Sequence, residues 1–264
     1  MKELILRTLT GILLIILVAG SISLGPTTFL GILLLIYGLG LRELYVVFRP
    51  KNIVAYLAMA LSAGFLMPLT LAVLLAQWSA LFLIIPVVGW TIGFVNSGFQ
   101  TKSLLILMWL AMPLTAFFML GWIENISAYN SLLPLSVIVL VWINDTFAYV
   151  VGRMVGKHKM TPQLSAGKTW EGFVGGALFS MAGGWIIFRL SGGLTLWNWI
   201  IVSLIISIFG LWGDLFESKL KRRKSLKNMG ALLPGHGGIL DRFDSLLFVA
   251  PAVLILMILL RLIQ

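Results

Sequence analysis

The stretch PGHGGILDRFDS, Pro234 to Ser245, gathers two aspartates, an arginine, a histidine and three glycines in a chain of 264 residues that holds only nine Asp and Glu. Asp241 and Asp244 are spaced i, i+3, and so are Asp214 and Glu217 upstream. On a helix that spacing places both carboxylates of a pair on one face. Between the pairs runs KLKRRKSLK, Lys219 to Lys227. Lysines there would repel a permeant cation, so the carboxylates make a poor cation pore. They suit a metal-bound polyphosphate, because Mg²⁺ takes one or two carboxylates plus phosphate oxygens while Lys and Arg neutralise the remaining charge. The glycines of PGHGG would let backbone N–H groups approach those oxygens closely.

The elements that must position these groups are membrane spans. The chain is 60% hydrophobic and 11% charged, with a mean hydropathy of +1.05; soluble domains carry about 25% charged residues. With no cysteine, a disulfide framework and a thiolate metal site are excluded. Apolar stretches predict an all-α polytopic membrane protein with nine transmembrane helices at residues 4–24, 28–48, 53–75, 78–95, 103–123, 131–152, 170–190, 194–216 and 246–263. The first of these, after Lys2 and Arg7, is expected to be a retained span and not a signal peptide.

Charge tests the count. Nine spans put sixteen of the nineteen Lys and Arg on one side, leave only Arg189 and Arg261 on the other, and place Arg42 within a span. That asymmetry puts the amino terminus and both long loops in the cytoplasm and the carboxyl terminus outside. The expected division is 1–76 as N-terminal scaffold helices, 77–130 as middle helices, and 131–264 as the catalytic region with cytoplasmic loops 152–169 and 217–245. The glycine-rich stretch Gly172 to Gly184 suits close helix packing, and small-residue spans permit a homodimer.

Asp145 and Asp214 interrupt otherwise apolar runs, VIVLVWINDTFAYVVG and IIVSLIISIFGLWGDLFES. An ionisable group at such depth costs roughly 2.5 to 3.5 kcal/mol on insertion scales, so it faces a partner or a wet cavity. Each part also has a plainer reading. KLKRRKSLK can act as a topology signal or an anionic-lipid contact; His236 can bond to backbone in a turn; Asp145 can pair with Arg153; the ten Trp can form an interfacial belt.

The segment SKLKRRKSLKNMGALLPGHGGILDRFDS, Ser218 to Ser245, resembles the signature of phosphatidate cytidylyltransferases, also called CDP-diacylglycerol synthases. GDLFES (213–218), WINDTFAYVVGRMVGK (142–157) and SAGKTWEG (165–172) resemble further motifs of that family. The chain departs from the pattern at Asn228, where the signature has Asp, and at Ala166 and Gly167, where it has Pro and Lys. The resemblance implies Mg²⁺-dependent transfer of a cytidylyl group from CTP to phosphatidic acid in phospholipid biosynthesis, at the cytoplasmic face of a cell inner membrane, with a second cation allowed. Asp214, Asp241 and Asp244 fall on its acidic positions and are the expected metal ligands. Lys168, Lys221 and Arg222 are expected in the catalytic set, and with Lys227 and Arg242 they would hold the triphosphate or the lipid phosphate. His236, Gly237 and Gly238 would form the nucleotide loop. Asp145, Ser165, Thr169, Glu171, Glu217 and Ser218 complete the expected substrate-binding set. No nucleic-acid partner is expected. Two other readings are open: another CTP-dependent lipid enzyme, such as a polyprenol kinase or an archaeal-type CDP-lipid synthase, and a cation-coupled transporter using Asp145 and Asp214.

Overall fold

The structure is a computed structural model, and it describes residues 2–50, 52–76, 88, 91–92, 95, 105–123, 128–191, 193–226, 228–233 and 237–263. It is predominantly helical. Among the described residues six helices are long and apolar enough to cross a membrane: Pro26–Phe48, Ile53–Thr70, Leu132–Val155, Trp170–Ser191, Leu196–Arg223 and Leu240–Leu262. The expected spans 4–24 and 103–123 contain the shorter apolar helices Thr8–Leu24 and Ile106–Trp122. The expected span 78–95 lies almost wholly outside the described residues.

The chain divides into two compact units, Met1–Ser131 with Asn228–Phe243, and Leu132–Lys227 with Asp244–Gln264. The first contains α1 (Lys2–Leu24), α2 (Pro26–Phe48), α3 (Ile53–Gly64), α4 (Leu66–Ala76) and α5 (Ile106–Trp122). α3 and α4 lie along one expected span, with a single-residue irregularity at Phe65 between them. Pro68 explains the irregularity: it has no N–H to donate to the carbonyl of Gly64, and its ring crowds that carbonyl. Pro113 acts similarly on α5, whose preceding turn Ile106–Ala111 widens into π-helix. The core sets Phe29 edge-on to Phe117, with ring centroids 5.2 Å apart. Two tyrosine hydroxyls stitch α2 to α3, Tyr37 donating to the carbonyl of Ala60 and Tyr56 to that of Leu41, each at 2.7 Å.

The second unit contains α6 (Leu132–Val155), a hairpin of β1 (Lys159–Thr161) and β2 (Ser165–Thr169), α7 (Trp170–Ser191), α8 (Leu196–Arg223) and most of α9 (Leu240–Ile263). The glycine stripe of α7 packs as its composition predicts. A Cβ on Gly176 would come within 2.7 Å of the Asn144 carbonyl on α6, and one on Gly184 within 2.7 Å of Ser203 Oγ on α8. α7 therefore sits tightly against both neighbours. The strands pair antiparallel, Lys159 opposite Thr169 and Thr161 opposite Ser165.

α9 begins at Leu240, six residues before the expected span at 246. Asp241 accounts for the early start, since its carboxylate accepts the backbone N–H of Gly238 just ahead of the helix.

Candidate active site

The second unit holds a half-open cavity of about 640 Å³, within the size range of small-molecule sites. α6 supplies Asn144, Asp145 and Arg153 to its wall; the hairpin supplies Lys159, Ser165, Lys168 and Thr169; α8 supplies Ser207 and Asp214.

Local structure explains why Lys168 reaches the wall. Thr169 is buried, and its hydroxyl accepts the N–H of Gly172, capping the start of α7. Glu171 accepts from the backbone N–H of His158 and bonds to its imidazole, while the Trp170 N–H donates to the His158 carbonyl. These bonds tie both ends of the hairpin to α7. Lys168, on the strand between them, forms an ion pair with Asp214 of α8.

Asp214 is the hub of a carboxyl cluster. Its side chain hydrogen-bonds Asp244 of α9 and lies in the field of Lys221 and of Asp145. Asp244 in turn hydrogen-bonds Glu217, which is fully buried and accepts from Lys221 Nζ at 2.6 Å. The approach of α8 to α9 depends on Gly213, where a Cβ would strike the Asp244 carbonyl. Three carboxyl groups thus stand against two lysines. Carboxyls in hydrogen-bond contact cannot all be charged without a shared proton or a further cation. The donors are all oxygen, the choice of a hard cation such as Mg²⁺. Among the described residues no group of three or more His, Asp or Glu is arranged to hold a metal by itself.

The polar network continues inward. Asn144 donates to Asp145 Oδ1 at 3.3 Å and accepts from Ser207 Oγ at 2.8 Å. The sequence reading omitted both residues, although Ser203, Ser207 and Asp214, spaced four and seven apart on α8, form one polar stripe in an apolar run. Arg153 donates to the Tyr149 hydroxyl at 3.2 Å.

Of the expected residues, the second unit thus brings Asp145, Ser165, Lys168, Thr169 and Asp214 to the cavity, with Asp244, Glu217 and Lys221 joined to Asp214. Glu171 is committed to His158. Ser218 is half-buried, and Arg222 is exposed with Nη1 donating to the Leu226 carbonyl. Lys227 and His236 lie outside the described residues.

The first unit carries Gly237, Gly238, Asp241 and Arg242. Gly237 has φ +88°, a left-handed conformation that favours glycine. Its N–H and carbonyl both pair with Leu233, at 3.1 and 2.9 Å. Asp241 Oδ2 accepts from the N–H of Gly238 at 2.8 Å and of Met229 at 3.1 Å. Arg242 is exposed.

A model of the cytidylyltransferase family matches residues 5–260. The chain belongs to the cytidylyltransferase family. Curated relatives agree: the phosphatidate cytidylyltransferase of Staphylococcus haemolyticus (strain JCSC1435) is 49% identical over 121 residues, and that of Staphylococcus aureus (strain COL) 47% over 121 residues. In both cases the match covers 46% of this chain and 46% of the relative, so the chain spans about half the length of the curated relatives it matches. The signature in residues 218–245 pointed to this same cytidylyltransferase family.

Proposed function

We propose that the chain transfers the cytidylyl group of CTP to phosphatidic acid, giving CDP-diacylglycerol and pyrophosphate, at the cytoplasmic face of a bacterial inner membrane. The observation that carries this reading is the Lys168–Asp214 pair on a cavity wall, with Asp244, Glu217 and Lys221 gathered behind it. The family signature and the relatives' names supply the substrates.

A phosphate oxygen of phosphatidic acid attacks the α-phosphorus of CTP. The new P–O bond forms as the bond from that phosphorus to the α,β-bridging oxygen breaks, and pyrophosphate leaves with the electron pair. Both reactants are anions, so cations must screen their repulsion and the charge developing on the leaving group. Lys168 and Lys221 supply fixed positive charge, and the carboxyl cluster orients them through ion pairs. Asp214 and Asp244 would hold Mg²⁺, which when bound would neutralise phosphate oxygens and stabilise the pyrophosphate; Asp241, the third acidic position of the signature, is proposed to shape its loop through its bonds to Met229 and Gly238. His236 and Arg242 are proposed to take the nucleotide phosphates; the N–H groups of Gly237 and Gly238 are already donated to Leu233 and Asp241, so the two glycines shape the turn instead. Ser165, Thr169, Asp145 and Asn144 line the cavity as polar contacts for a headgroup. Nothing in this scheme requires a covalent nucleophile.

The lipid substrate accounts for the architecture: acyl chains stay in the bilayer while the headgroup meets CTP at its surface. Nine spans with a cytoplasmic amino terminus and an outside carboxyl terminus, residues 131–264 as the catalytic region, and a homodimer through small-residue spans belong to the same proposal.

The test is incubation of the purified chain in bilayers with CTP labelled at the α-phosphate or at the γ-phosphate. Cytidylyl transfer places the α label in the lipid product of phosphatidic acid and the γ label in pyrophosphate. A γ label found in lipid, or an α label accepted only by isoprenoid lipids, would replace this reading with a kinase or an archaeal-type synthase.

A further inference from the structure

Glu43 lies on α2, almost two hundred residues from the signature, and is 3% exposed. Its carboxylate accepts the backbone N–H of Ile239 at 2.8 Å and of Leu240 at 3.0 Å. These N–H groups belong to the start of α9, where a helix has no acceptor of its own and where its dipole favours a negative group. Two glycines close on the same carboxylate. A Cβ on Gly230 would come within 2.5 Å of Glu43 Oε1, and one on Gly238 within 2.7 Å of Oε2. Gly230 and Gly238 to Leu240 therefore close around one buried carboxylate. Asp241 fixes the same backbone from inside by accepting the N–H groups of Met229 and Gly238.

Filling this space would not need a charge, and burying one without hydrogen bonds is costly. What the carboxylate does that an apolar side chain cannot is accept two adjacent backbone N–H groups and so select one backbone course for the loop. We infer that Glu43 is a positioning residue: from a remote helix of the N-terminal region, it holds the backbone at Gly230 and at Gly238 to Leu240, the two flanks of the loop proposed to receive the nucleotide phosphates. The identity of that ligand rests on the proposed cytidylyl transfer; the loop-holding role does not.

Glu43→Gln separates charge from bulk, because it keeps the volume but turns an N–H₂ donor toward backbone donors. In the full chain in bilayers, this variant is expected to raise the KM for CTP about tenfold or more, with kcat within about threefold and the KM for phosphatidic acid within about twofold. Amide exchange of the 228–240 segment should quicken while the thermal midpoint stays near wild type. Gly230→Ala, which drives a methyl into the carboxylate, should show the same split, and should add no further loss in a Glu43→Ala background. It carries the same readouts should Glu43→Gln not fold.

An unchanged KM for CTP, whether or not exchange quickens, would overturn the inference. So would a parallel rise in both KM values with a lowered thermal midpoint, which is the mark of a general structural role. If the wild-type chain does not turn over CTP, the proposed function fails separately. Exchange alone then decides: faster exchange confined to 228–240 sustains the loop-holding role, and unchanged exchange ends it.

Discussion

Carboxylates do different work in the two units. Between Asn228 and Phe243, and on α2, Asp241 and Glu43 point at backbone: each accepts two main-chain N–H groups and gives the loop its course. In the second unit Asp214, Asp244 and Glu217 point at one another and at Lys168 and Lys221. The first arrangement is satisfied by the chain itself. The second concentrates like charge beside two lysines, an arrangement that a shared proton or a further cation would relieve. Three aspartates that stand in one family pattern thus differ in what their surroundings ask of them.

Substitutions can break or sharpen this contrast. The largest effect is expected at the hub: Asp214→Asn should lower turnover about 10³-fold or more by removing the charge paired with Lys168, read as incorporation of α-labelled CTP into lipid. Retention of full activity would remove Asp214 from the site. Lys168→Met should cost about 10²-fold, and less than additively on top of Asp214→Asn because the two form one pair. Asp241→Asn should cost roughly 10- to 100-fold and, unlike Asp214→Asn, should speed amide exchange of residues 228–240; activity lost with exchange unchanged would make Asp241 a ligand and nothing more. The smallest effect is expected for Asn228→Asp, which restores the signature residue. The amide of Asn228 lies 3.4–3.5 Å from the position of a Cβ on Gly237, and Asp241 Oδ2 lies 3.0 Å from that same point. A second carboxylate there repels Asp241 unless a cation lies between them, so the rate should change by less than about threefold without extra Mg²⁺. A rise that grows with Mg²⁺ would extend the cation-dependent behaviour to this loop.

Much of the helical framework was legible in hydropathy, because a lipid solvent demands long apolar runs with internally satisfied backbones. The glycine stripe of α7 was legible for the same reason: small residues have few other uses there. Element ends were not. α9 starts early through the Asp241 bond to Gly238, and the expected span 53–75 is irregular at Phe65 under Pro68, two local effects that a hydropathy window averages away. The hairpin 159–169 read only as a loop, since its strands are short and polar and are held by Glu171, His158 and Thr169.

Asp145 and Asp214 stood out in the sequence because a rare charge in an apolar run announces itself; Lys168, in a polar loop, was implied only by the family resemblance. Asn144 and Ser207 did not stand out, being neutral and common. By itself the sequence determined the solvent, the family and the positions where charge had to be explained. Only the tertiary structure decided what each charge meets. A carboxylate's chemistry is written in its residue type, but whether it turns to a lysine, to another carboxylate or to two backbone N–H groups of Ile239 and Leu240 is set by helices that come together far from one another in sequence.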